Sequence, residues 1–145
     1  MIANKGNLLP TKEEIEELVS FLPRLYAPGL KAIKTWGGGE QVESDVFQMP
    51  YPIYDKIVED FFRTASQECW CDYGYEPVSA GEMLLDEDLV RHSTLAQMKT
   101  MLTFCVRGEH FCDGHWARMI EEGHIRRLLE RLVELGSETS NRQDI

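Results

Sequence analysis

YDKIVEDFFRTA, Tyr54 to Ala65, is the stretch on which the fold turns. Tyr54, Ile57, Val58, Phe61, Phe62 and Ala65 recur at the spacing of one helical face, and Asp55, Glu59, Asp60 and Arg63 fall outside it. The period predicts a helix whose apolar stripe faces a core.

Upstream, Thr11 to Glu14 reads TKEE, a capping box, and Ile15, Leu18, Val19 and Leu22 follow at helical spacing. This predicts a helix from about Lys12 to Tyr26, with Glu13, Glu16 and Glu17 on its solvated face and Ala27, Pro28 and Gly29 ending it. Between Leu30 and Tyr51 the helical period disappears. Trp36, the glycines Gly37 to Gly39 and the apolar run at Val46 to Met49 predict a turn and at most one small hairpin. No Lys-Ser/Thr pair follows the glycines, so a turn explains them better than a phosphate cradle.

Downstream, CWCDYGY at Cys69 to Tyr75 breaks the period, and SAGE at Ser79 to Glu82 is a second capping-box pattern expected to open a short helix. Leu95, Met98, Leu102, Cys105 and Val106 predict a helix from about Thr94 to Arg107, with Gly108 as a left-handed cap. Two apolar phases follow. Trp116, Met119 and Ile120 make one, and Ile125, Leu128, Leu129, Leu132 and Val133 make the other, with Gly123 at the slip. The segment after Gly136 has no apolar anchor and is expected to be a disordered tail, 137–145. The expected architecture is therefore mostly α: a single compact domain over residues 1–136, of five to six helices, with its core on the second, fourth and sixth.

At 145 residues, 43% of them hydrophobic, the chain can bury a core without a metal or disulfide staple. Its net charge of −10 repels phosphate backbones and anionic lipid, which argues against nucleic acid and membrane as partners. The N-terminal MIANKGNLLPTKEE has no apolar signal-peptide core, and the four cysteines are expected to be free thiols. Both point to the cytoplasm.

RGEHFCDGHWARMIEEGHIRRLLERL, Arg107 to Leu132, concentrates the chemically versatile side chains. Cys105, His110, Cys112, His115 and His124 are zinc-type ligands, but they lack the two close pairs of a structural zinc site, and no metal or cofactor is expected. Cys112 ahead of a helix, with His115 three residues on, could form a thiol–base pair. A carboxylate at Asp113 opposes thiolate formation, and a small buried cysteine with His115 satisfied by hydrogen bonds is the plainer account. Arg118, Arg126, Arg127 and Arg131 alternate with Glu121, Glu122, Glu130 and Glu134, which describes an ion-paired solvated face rather than a DNA-reading one. Structurally, the segment reads as a tight corner: Arg107 paired with Glu109, Phe111 and Trp116 burying aromatic area, and Asp113 capping the next helix.

On WGGG at Trp36 to Gly39, MPYPIYDKIVEDFF at Met49 to Phe62 and, above all, the Arg107 to Leu132 stretch, the chain resembles a bacterial and archaeal family known as domain of unknown function 6508. The resemblance runs from about Trp36 to Leu132. It implies that Arg107, Gly108, Glu109, Phe111, Gly114 and Gly123 belong to a shared pattern and that Asp72 matches the family's Asp-aromatic stretch; it carries no activity.

The leading expectation is a non-enzymatic interaction domain acting on a protein partner or as a homo-oligomer. The alternative is a small-molecule-binding or hydrolytic protein with a polar site around Arg107, Glu109, Asp113, His115 and Asp72, flanked by Phe111 and Trp116. A third is an acidic decoy of a nucleic-acid-binding partner.

Overall fold

A computed structural model describes residues 9–39, 41–43, 46–47 and 49–143, with side chains for 9–39 and 49–137. Among the described residues the chain is a mostly helical domain with one β excursion. The helices are α1 (Lys12–Val19), α2 (Leu22–Leu25), α3 (Lys56–Ala65), α4 (Pro77–Leu85), α5 (Glu87–Arg91), α6 (Leu95–Arg107), α7 (His115–Glu121) and α8 (His124–Gln143). Six of them have seven or more residues. The strands are β1 (Ile33–Gly37), β2 (Gln41–Glu43), β3 (Val46–Phe47) and β4 (Tyr51–Tyr54).

The expected helical stripe holds in α3, where Val58, Phe61, Phe62 and Ala65 are all buried. Tyr54 is not part of that helix: it ends β4, and Asp55 caps α3 by accepting from the Ile57 amide at 3.0 Å. Together with Met98, Met101, Leu102 and Cys105 of α6 and Ile125, Leu128, Leu129 and Leu132 of α8, this face forms the core. Each large apolar side chain so buried contributes roughly 1.5–3 kcal/mol. α8 is the spine, packed against α1, α2, α5, α6 and α7. It continues through Gly136, where the sequence reading ended it, and Gly136 lies against Ile15 of α1. Val133 diverges from the expected stripe and is exposed.

The Thr11 capping box forms, with Thr11 and Glu14 exchanging bonds of 2.8 and 3.2 Å. The first helix is nevertheless two. Pro23 has no N–H to donate back to Val19, so the helix breaks after Val19 and restarts as α2 with the proline in its first turn. SAGE is not a cap. Glu76 fills that role, accepting from the Val78 and Ser79 amides, with Pro77 as the first helical residue. The short α5 was not legible from periodicity; Asp86 caps it through the Leu89 amide. Thr94 and Gln97 make the capping box of α6.

β1 pairs antiparallel with β4, setting Gly37 opposite Tyr51 and Trp36 opposite Pro52; β2 pairs with β3 inside the same excursion. Gly37 admits the Tyr51 ring, which occupies the space a side chain there would need. The WGGG motif is thus a strand end and turn matched to MPYP across the ladder.

Candidate functional site

Where α6 ends, the chain makes a 3-10 turn over Gly108–His110 and enters α7 at Gly114. Gly108 is not the expected left-handed cap. Its φ is −60°, and what excludes a side chain is the His115 ring, seated where a Cβ would go. Gly123 does take the left-handed conformation, φ 84°, at the slip between α7 and α8.

Glu109 organises the corner. Its Oε1 accepts from the Tyr54 hydroxyl at 2.7 Å and the Trp116 amide at 2.8 Å, and its Oε2 accepts from the Gly114 amide at 2.9 Å. Glu109, not Asp113, therefore caps α7, a position where a carboxylate also meets the positive end of the helix dipole. Asp113 is exposed, and Gly114 occupies the N-cap position without a side-chain bond of its own. Burial, reinforced by the bond to Glu109, raises the Tyr54 hydroxyl pKa strongly, so Tyr54 stays a proton donor.

Trp116 completes the corner. Its indole stacks on Phe62 at 4.5 Å between ring centroids, sits 5.2 Å from Tyr54, and donates from Nε1 to the Val106 carbonyl at 2.9 Å. His115 is buried edge-on to Phe104, and its Nε2 has no hydrogen-bond partner. Burial lowers its pKa below the ordinary imidazole value, against the opposing pull of the Glu109 charge.

The remaining sequence candidates make no bond to Glu109. Arg107 forms no ion pair with Glu109; it is exposed, with its guanidinium 5.6 Å from the Tyr75 ring. The single residue between them in a 3-10 turn sends the two side chains to different faces, and the amides of α7 take the carboxylate. Phe111 was expected to be buried but is 80% exposed. Cys112 is exposed too, while Cys105 is the buried cysteine, its thiol pKa pushed up by desolvation. Asp72 does not join the corner. It ties the Cys69–Tyr75 loop to the middle of α6, accepting from Thr100 at 2.7 Å and donating its amide to Thr103 at 2.9 Å. An open depression of roughly 360 Å³ lies over the corner, lined by Val106, Arg107, Glu109, His110 and Trp116.

The expected ion-paired face is present in part: Arg126 lies 3.3 Å from Glu130, Arg131 3.0 Å from Glu134 and Arg118 4.0 Å from Glu122, but Arg131 is largely buried with its Nε donating to the Ser93 carbonyl, and Arg127 turns to His124. Among the described residues no group of three or more His, Cys, Asp and Glu is placed to hold a metal, and no helix is long and apolar enough to cross a membrane. Sequence reasoning missed Tyr54 as a member of the corner. The signal was there in Asp55, whose capping role puts Tyr54 outside the helix and free to turn toward Glu109.

Fold and corner together define a mostly helical domain whose most distinctive motif is a glutamate-capped interhelical junction. The chain belongs to the family of unknown function DUF6508, whose model matches residues 10–138. No curated protein and no solved structure matches the chain.

Proposed function

We propose that the protein is a non-enzymatic interaction domain that docks a partner protein through its β excursion. The observation that carries this is the exposed apolar side chains on the two faces of the β1–β4 ribbon: Tyr51, 43% exposed, and Ile53, 37%, on one face, Trp36, 53%, on the other, and Met49, 73%, ahead of β4. Aromatic side chains held on a rigid ladder lose little freedom on binding and are the usual anchors of protein contacts. Tyr51 is pre-positioned over Gly37, so its ring is already ordered. The polar candidates support the same reading, because Glu109 and Asp72 spend their oxygens on bonds within the fold. A cytoplasmic setting belongs to this proposal and rests on the four free cysteines, and protein rather than nucleic acid or membrane as partner rests on the acidic charge.

The test is crosslinked capture from the source cell with the wild-type chain, the Trp36→Ser/Tyr51→Ser variant and, as a surface control, Phe111→Ser, followed by binding of the recovered partner in purified form. A partner kept by Phe111→Ser and lost by the double variant supports the proposal. Equal retention by all three, or a small molecule carried by the wild type and lost on changing Arg107 or His110, would overturn it.

A further inference from the structure

His124 is the first residue of α8, with its side chain only 9% exposed. Its Nδ1 lies 2.8 Å from Nη2 of Arg127. A guanidinium can only donate, and it stays charged at any pH a folded protein meets. Nδ1 must therefore present its lone pair, which fixes the ring as neutral with its proton on Nε2, facing Glu122 Oε2 at 3.5 Å. The arginine held in this way spans the junction. Nη2 reaches the Glu122 carbonyl at 3.4 Å, Nη1 stands 4.0 Å from Glu87 of α5, and the guanidinium folds over Gly123 closely enough that a Cβ there would lie 3.0 Å from Nη1.

We propose that His124 is an acid-sensitive latch: protonation at Nδ1 turns the acceptor of Arg127 into a second donor, expels the guanidinium and loosens the junction between α7 and α8. The charges around the ring are mixed. Arg127 on α8 and Arg118 on α7 disfavour the imidazolium, Glu122 favours it, and burial lowers the pKa further than either. The latch is thus closed near neutral pH and opens on the acid side. Glu87 of α5 is placed to take the released guanidinium. Tyr26 at the end of α2, whose hydroxyl donates to the Ile120 carbonyl and accepts from the Arg126 amide, does not titrate in this range because burial raises its pKa to about 12. His115, at the other end of α7, is the second buried imidazole, so the test must separate the two.

Nitrogen NMR of the imidazoles reads the tautomer directly, and amide exchange over α7 and the junction, corrected for its intrinsic pH dependence, reads the opening. At pH about 7.5 His124 is expected as the Nε2–H tautomer, and protection of the junction amides is expected to fall about tenfold by pH about 5.5. His124→Asn, which keeps an acceptor for Arg127 but cannot titrate, is expected to hold protection within about twofold over that range. An Nδ1–H tautomer at neutral pH, unchanged protection in the wild type, or the same loss in His124→Asn would each overturn the latch. If the variant does not fold, the tautomer and the wild-type titration decide.

Discussion

The Tyr54 hydroxyl donates to Glu109 across 55 positions of sequence at 2.7 Å, joining the end of β4 to the turn that starts α7. The same carboxylate accepts from two α7 amides, so one side chain fixes both the ribbon and the helix. Glu109→Gln replaces one of these acceptors with a donor and is expected to cost about 1–3 kcal/mol in urea unfolding. Tyr54→Phe removes one bond and is expected to cost about 0.5–1.5 kcal/mol. The two losses should fall short of additive in the double variant, because they share a bond. Additive losses would show that Tyr54 and Glu109 act independently.

Arg107 borders the depression over this corner without pairing with Glu109. Exposed, and set over the Tyr75 ring, its guanidinium has a contact worth about 0.5–1 kcal/mol. Arg107→Ala is therefore expected to leave the unfolding midpoint nearly unchanged, in contrast to Glu109→Gln. A large loss of stability would mean that the guanidinium is engaged in solution after all.

What the sequence made legible was periodic. The stripes of α3, α6 and α8 could be read because Phe61, Leu102 and Leu128 each lie on long apolar faces buried in the core. What it concealed was decided through space. Asp113 is the nearest capping residue along the chain, but Glu109 wins because the 3-10 turn folds it back onto the amides of α7. Phe111 was assigned to the core by residue type, yet it sits on the outside of that turn. Pro23 stands inside an apolar run that continues past it, so periodicity alone joined two helices.

The two buried imidazoles give stability a pH dependence with a definite sign. His115 and His124 both have pKa values lowered below the ordinary 6.5, chiefly by burial. The unfolded chain therefore binds more protons than the folded one just below that value, so stability is full above it and is lost as pH falls. The slope is at most about 1.4 kcal/mol per histidine per pH unit. Urea midpoints measured from pH about 7.5 downward should fall first in this window, ahead of carboxylate titration. Midpoints flat to pH about 5 would show that both rings remain as easily protonated folded as unfolded.

Gly108 offers the sharpest test of how tightly the corner is packed. Its φ of −60° is ordinary helical backbone, where replacing glycine with alanine usually stabilises by about 0.4–1 kcal/mol through the unfolded chain. Here the new methyl would enter the His115 ring, and that ring is buried edge-on to Phe104 with little room to retreat. Overpacking of this kind costs about 1–3 kcal/mol, which outweighs the backbone gain, so Gly108→Ala is expected to destabilise. His115→Ala alone should also destabilise, by leaving a cavity behind Phe104. Combined, the two should cost less than their sum, because the methyl then occupies space the ring has vacated. Urea unfolding of the three variants measures the cycle; a stabilising Gly108→Ala would mean that the ring yields and that the contact does not set the corner.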